Sequence, residues 1–423
     1  MDSASESPVV PAGGARLLSW LLATWALGTA ASEGLMQVSA DAVVLWALVL
    51  LATGRARVPR NLRPALLAGG LLAAYQALSP LLVRLAGSSE WPTAGRWLQC
   101  LDTAAAPALA VAAVVGVRWT AVELAAVAGW TGSVATGVLQ HFVRWEAPLP
   151  TLLRLPVGRV HEVFAQEGQP RFAAGGFFFH RLRFAHGAVA LLGPSLAASL
   201  RASGTRRRWL GAGMVVLCAL AIYLAFARAA LGAALLVCAA AGAALSRGWA
   251  RRAGVLGVLI LLLAVALAPG WRLRLSDAGA NLFNGERALA RAAGWDLVQR
   301  HPLLGVGFGN YHSAALARAT DTGLPPQLAR DAHALWLTTW AETGLVGLLL
   351  WLAWQGLLGL ALFRRARDGA WPALGALLSW GAFHALAVVH HLPFHSSVHL
   401  TFALVWGMGL VRAGDATQPS TRL

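Results

Sequence analysis

Residues 287–347 read RALARAAGWDLVQRHPLLGVGFGNYHSAALARATDTGLPPQLARDAHALWLTTWAETGLVG. This stretch carries spaced Arg and His residues and lies between two long apolar runs, near 253–269 and 334–362. A helix needs about 20 apolar residues to cross hydrocarbon, so both runs read as membrane spans. The polar stretch between them is then a loop where chemistry can face water.

Working outward, the whole chain repeats the pattern. Of its 423 residues, 57% are hydrophobic and 12% charged, with a mean hydropathy of +0.61, a composition unsuited to a soluble surface. Apolar runs near 17–32, 37–53, 65–85, 97–116, 120–140, 180–200, 209–226, 229–245, 253–269, 334–362, 371–391 and 396–412 predict an all-α polytopic membrane protein of about 12 spans. Three regions follow: 1–269 with about nine spans and an outer segment near 141–180, the large loop 270–333, and 334–423 with the last spans and a short tail.

Arginine placement sets the orientation. With the N-terminus inside, Arg55, Arg57, Arg60 and Arg63, then Arg206 to Arg208, then Arg251 and Arg252, then Arg364, Arg365 and Arg367 all fall in inner loops, as the positive-inside rule requires. Both termini are then cytoplasmic, and the first span, lacking a basic lead, is retained. The net charge of +16 is spread over lipid-facing loops rather than gathered in one stripe, which fits anionic headgroups and not nucleic acid. All 34 basic residues are Arg, which excludes lysine Schiff bases and the lysine of a Walker phosphate loop. Cys100, Cys218 and Cys238 fall within spans as small apolar fillers, and no disulfide framework is expected.

All twelve histidines fall in outer loops or outer half-spans, so the active surface should face outward. His333 is the one with a distinctive setting. Pro325 and Pro326 break the chain before it, and Asp331 is positioned to cap a helix starting at Ala332. That would place His333 in the first turn, where the helix dipole favours a neutral imidazole. A helix from His333 to Phe363 would run about 45 Å against ~30 Å of hydrocarbon, so it should project outward or bend near Gly344 and Gly347.

Within the loop, 285–300 predicts an amphipathic helix capped by Asn284. Leu289, Ala292, Ala293, Leu297 and Val298 would be its apolar face, Arg287 and Arg291 would share one side, and Pro302 would end it. GVGFGN at 305–310 lacks the strand and spacing of a dinucleotide fingerprint; Gly305, Gly307 and Gly309 instead predict a tight turn against neighbouring helices. Outside the loop, Arg171 leads GGFFFH, and Arg228 stands in AFARAALG at membrane depth, where charge is costly and usually functional.

Taken in order, R-x3-GG-F at Arg171 to Phe177, Arg228 before a small-residue helix, the Arg287 helix, HPLLGVGFGNY, and His333 followed by AETGLVGL resemble the O-antigen ligase and polysaccharide polymerase family of bacterial inner membranes. The resemblance covers about 170–350. It implies a C-type glycosyltransferase that moves a glycan from undecaprenyl diphosphate to an acceptor at the periplasmic face. Ligases deliver to lipid A–core, polymerases to another carrier-linked repeat unit; the AETGLVG helix and single large loop favour a ligase. The family commonly has Asn after the matched His, whereas Ala334 stands here.

On this resemblance His333 takes the acceptor proton, with inversion at the anomeric carbon. Arg228 and Arg287, with Arg291 and Arg171, meet the diphosphate, Arg287 also serving catalysis as the leaving-group charge develops. No cofactor is implied, and the absence of a D-x-D sequence points away from a metal. Two alternatives remain: a metal site at His390, His391, His395 and His399 if they share a helical face, and a transporter or flippase for a lipid-linked glycan. A transporter should show two matched halves with polar groups at midplane; Asp102 is such a group, but no matched halves are visible.

Overall fold

A computed structural model describes residues 12–55, 58–87, 91–113, 116–143, 161–166, 169–178, 180–245, 257, 260, 271, 285–323 and 325–412. The chain opens as a helical hairpin, α1 (Ala12–Ala31) and α2 (Glu33–Ala52), turned at Ser32, whose hydroxyl accepts the Leu35 N–H at 3.3 Å. Next come α3 (Arg63–Leu85), the single turn α4 (Ala94–Trp97), α5 (Cys100–Ala112) and α6 (Trp119–Val143). After an antiparallel hairpin, β1 (His161–Gln166) and β2 (Gln169–Ala173), come α7 (Arg181–Arg201), α8 (Thr205–Leu224) and α9 (Arg228–Leu245). The polar loop holds α10 (Glu286–Arg300), α11 (Tyr311–Ala317) and α12 (Ala319–Thr322). The last three helices are α13 (Leu335–Arg367), α14 (Trp371–Ala387) and α15 (Ser396–Val411).

Five of these, α2, α3, α6, α8 and α13, are long and apolar enough to cross a membrane, and α9 and α15 are shorter apolar helices. Helix α15 packs on α5, α14, α7 and α2 and is buried almost all round. A helix with no polar face belongs inside a bundle rather than against lipid. Helices α7 and α14 approach closely because Gly193 and Gly375 face each other; a Cβ on Gly193 would lie 2.6 Å from the Gly375 carbonyl oxygen. At the other end from the polar loop, Arg412, only 5% exposed, lies 4.8 Å from the Trp371 ring and 2.6 Å from a Glu123 oxygen.

Each expected span overlaps a described helix except 253–269, of which only residues 257 and 260 are described. Three features differ from expectation. The run 97–116 is not one helix: it breaks after Trp97, leaving α5 with 13 residues around Pro107, a position where proline removes a helical hydrogen bond. The two-stranded hairpin is a departure from an all-α reading. The helix expected from Ala332 begins at Leu335, because Asp331 spends its carboxylate on a local turn.

The bend expected in α13 falls at Gly344, whose φ of 66° and ψ of −173° are non-helical. The backbone groups released there are satisfied by the loop: Leu345 N–H donates to the Pro302 carbonyl at 2.9 Å, and Val306 N–H donates to the Ala341 carbonyl at 2.9 Å. Irregular backbone at this depth persists only where protein supplies such partners.

Candidate active site

The polar loop folds on a small core of its own. Ala290, Ala293, Leu297 and Val298 of α10 pack on Val306, Tyr311 and Ala315, and then on Leu337 and Ala341 at the start of α13. The buried face of α10 is therefore turned from the expected one: Ala290 and Gly294 replace Leu289 and Ala292, and Leu289 is 38% exposed. Gly294 is buried because a Cβ there would lie 2.8 Å from Ala332 Cβ, so the small residue lets α10 approach the strand of chain that carries His333. Gly285 precedes the helix at its cap position; Asn284 lies outside the described residues. The helix ends at Arg300 with His301 as its cap residue, as Pro302 requires. Asp296 then ties the loop together, accepting from Arg300 Nε at 3.1 Å and Arg318 Nε at 3.2 Å.

The glycine turn does what its spacing predicts. Gly305, Gly307 and Gly309 have φ of 70°, 89° and 82°, and all three abut other segments. A Cβ on Gly305 would lie 2.5 Å from the Glu342 carbonyl carbon, one on Gly307 3.1 Å from Pro80 Cα, and one on Gly309 3.0 Å from Pro92 Cβ. Gly305 and Gly344 thus seat the loop directly against the break in α13.

Above this junction the basic residues converge. Arg287 and Arg291 are half-buried on successive turns of α10, and Arg228 is the first residue of α9. Burial, then the guanidinium charges of Arg228 and Arg291, pull Arg287 below the ordinary arginine range, while Asp331 opposes them. Arg228, Arg291 and Asp331 are therefore each within electrostatic reach of Arg287. His390 belongs to the same group, close enough to feel Arg287, His333 and His186. The sequence suggests it only as a metal ligand with His391, His395 and His399; its place beside Arg287 was not foreseen, because it arrives from the α14–α15 connection, 90 residues beyond the end of α10 at Arg300.

His333 has a different local structure from the one expected. It sits ahead of α13 with φ of +50°, a left-handed conformation uncommon for a side-chain-bearing residue. Its N–H donates to Asp331 Oδ1 at 2.7 Å, and its Nδ1 lies 3.6 Å from the same oxygen, an ion-pair distance too long for a hydrogen bond. The helix-dipole argument therefore gives way to a carboxylate beside the ring, near enough to act on it electrostatically. Strained residues of this kind persist where the surroundings fix them and cluster at active sites.

Arg171 stands apart from this group in what can be said of it: its backbone pairs with Phe164 in the β-hairpin, and its side chain lies outside the described residues. The GGF segment after it is held by a contact that sequence reasoning missed. Gln140 Oε1 accepts from the N–H groups of Gly175 at 3.0 Å and Gly176 at 2.9 Å, and its Nε2 donates to the Gly176 carbonyl. The histidines 390, 391, 395 and 399 do not share a helical face. A 3-10 turn, Leu392–Phe394, separates the first two, and α15 begins only at Ser396, as Pro393 demands. Among the described residues no cluster of three or more His, Cys, Asp or Glu is arranged to hold a metal.

At the start of α13 lies a cavity of about 50 Å³ whose lining joins Gln76, Arg96, Gln99, Glu342 and His399 to Phe308, Trp351 and Trp354. It has room for a few waters and not for a sugar ring. Glu342, the carboxylate of AETG, points into it and accepts the Tyr311 N–H at 3.4 Å, with Arg96 as its cationic neighbour. Burial lowers Arg96 from the ordinary arginine range while Glu342 and Asp331 act to raise it. Arg96 was missed because it precedes an apolar run with no motif around it.

A semi-buried group of guanidiniums suits a multiply charged anion, since each can offer paired donors to phosphate or carboxylate oxygens. An imidazole beside a carboxylate, in the same loop, suits proton transfer. No curated protein matches the chain. Residues 213–352 match the family model described as O-antigen ligase, a span that includes Arg228, Arg287, Arg291, the glycine turn and His333 and leaves out Arg171, Arg96 and His390. Among its described residues the chain thus joins five helices long and apolar enough to cross a membrane to a segment, residues 213–352, that is similar to the O-antigen ligase family.

Proposed function

We propose that the protein is a glycosyltransferase of the bacterial inner membrane, acting at the periplasmic face, that moves a glycan from undecaprenyl diphosphate to an acceptor sugar. The reading favoured is ligation of O-antigen to lipid A–core; polymerisation of carrier-linked repeats is the alternative within the family. The observation that carries it is the gathering of Arg228, Arg287 and Arg291 beside Asp331 and His333 within the family-matched span.

In this reading the guanidiniums hold the donor diphosphate and stabilise the negative charge that builds on it as the glycosidic bond breaks. His333 takes the proton of the acceptor hydroxyl, whose oxygen attacks the anomeric carbon from the side opposite the departing diphosphate, with inversion. General-base help of this type is worth about 10²–10⁴-fold. Charge neutralisation by arginine replaces a bridging metal, and no cofactor takes part. The twelve-span topology, with both termini cytoplasmic and 270–333 as the catalytic loop, belongs to the same proposal.

Donor binding and transfer measured on the same purified proteins test the division of roles. His333→Ala should abolish transfer and leave binding of carrier-linked donor within about threefold, whereas Arg287→Ala should weaken both. Near-normal transfer by His333→Ala would remove the proposed base. In cells, a deletion strain that accumulates carrier-linked long polymer supports ligation; one that accumulates single repeat units supports polymerisation.

A further inference from the structure

Arg228 reaches the guanidinium group from an unusual turn. Helix α8 ends with Ala225 as its cap residue, α9 starts at Arg228, and only Phe226 and Ala227 lie between. Phe226 is 3% exposed and has φ of +49°. For a bulky residue this is a genuine outlier, and such a conformation survives only where its surroundings determine it.

Three contacts do so here. The Ala174 N–H donates to the Leu224 carbonyl at 2.9 Å, tying the turn to the end of the β-hairpin. The Phe226 ring stacks on His141 at 5.5 Å between centroids and meets Trp271 at 5.5 Å. The third contact is Arg181, in the first turn of α7: its Nη1 donates to the carbonyls of both Ala225 and Phe226, at 2.9 and 3.0 Å. These carbonyls belong to the end of α8, where the last C=O groups have no partner within the helix. One side chain therefore satisfies the end of one helix and fixes the turn from which the next begins.

We infer that Arg181 is a positioning residue for the donor diphosphate, acting through the Phe226 turn to set the direction in which Arg228 enters the arginine group. The inference rests on the proposed role of Arg228. Arg181 commits Nη1 to the backbone, and its effect on donor binding passes through Arg228; a direct contact through Nε or Nη2 is the outcome the test separates. A simple helix cap would affect stability alone.

A double-mutant cycle on the purified full-length protein separates these possibilities, with farnesyl diphosphate in detergent micelles as the probe. Arg181→Gln, which keeps a donor but loses the reach to both carbonyls, should raise the Kd about tenfold in the parent background. In an Arg228→Ala background the same substitution should change it by less than about twofold. Phe226→Leu, which loosens the turn and leaves every charge in place, should behave the same way, and it carries the test if Arg181→Gln does not fold. A tenfold effect that persists without Arg228 would show that Arg181 binds the diphosphate itself and would overturn the inference. An unchanged Kd with a lowered unfolding temperature would reduce Arg181 to a cap and overturn it too. If Arg228→Ala alone left the Kd unchanged, the clamp reading itself would fall.

Discussion

Replacing Gly344 by alanine tests the junction on which the candidate site is built. Its φ of 66° and ψ of −173° lie in a region open in practice only to glycine, and a side chain there costs about 1–3 kcal/mol. A Cβ would also lie 2.0 Å from the Leu303 carbonyl oxygen, so the loop must retreat by about 1.5 Å to reach ordinary contact. That retreat strains or breaks the Leu345–Pro302 and Val306–Ala341 backbone bonds, both 2.9 Å, at about 1–3 kcal/mol for each one lost. The expected total is about 3–9 kcal/mol if both bonds are lost, a fall in Tm of at least roughly 6 °C at ~2–4 °C per kcal/mol. Gly356, on the same helix with open space around its Cβ position, is the matched control: Gly356→Ala should be neutral or stabilising by up to about 1 kcal/mol. Thermal unfolding in detergent, followed by tryptophan fluorescence, compares the two. If Gly344→Ala unfolds within about 1 kcal/mol of Gly356→Ala, the loop is not seated on this break, and the placement of His333 argued from it fails.

Three further outcomes are expected. Burial acts to raise Asp296, but the hydrogen bonds and charges of Arg300 and Arg318 outweigh it and hold the carboxyl below its ordinary range. A depressed carboxylate stabilises above its unfolded value near pH 4 and stops doing so as pH falls through the folded value, so the Tm gap between the parent and Asp296→Asn should close on acidification from about pH 6 to about pH 3; a gap independent of pH would contradict it. Cysteine substitutions at the exposed residues Ser313 and Thr205 should differ in whole cells, the first labelled by an impermeant thiol reagent and the second not, and the reverse pattern would invert the topology. Chelation with EDTA should leave transfer by purified protein unchanged, and activity lost on chelation and restored by magnesium or zinc would reject arginine as the charge-neutralising group.

What could be read from sequence was local. Apolar runs located the helices, Pro302 ended α10 within a residue, and the glycine spacing at 305–309 announced a close-packed turn, because each of these depends on a few adjacent residues. The misreadings arise where one residue type serves two local structures. Asp331 has the chemistry of a helix cap and of a side-chain turn alike, and the competition was settled by Thr338, whose hydroxyl accepts the Ala332 N–H at 3.1 Å. The β-hairpin left a signal in the alternation of HEVFAQ and in Gly168, but within a chain of membrane helices a short alternating run is easily passed over. Gln140 and Arg96, and the place of His390 beside Arg287, were beyond reach for a different reason: each contact joins residues more than 30 positions apart, and nothing in the local sequence marks it.

The interlock of Gly305 with Gly344 also fixes how the chain can vary in length. Residues 302–306 are matched to 341–346 by bonds at both ends, so an inserted residue between Pro302 and Val306 would force one of those pairs apart. The stretch around Gly323, where a Cβ would meet nothing, carries no such register. Related chains that lengthen or shorten this loop should therefore do so near residue 323, and a reporter peptide inserted there should be tolerated where one inserted at residue 304 is not.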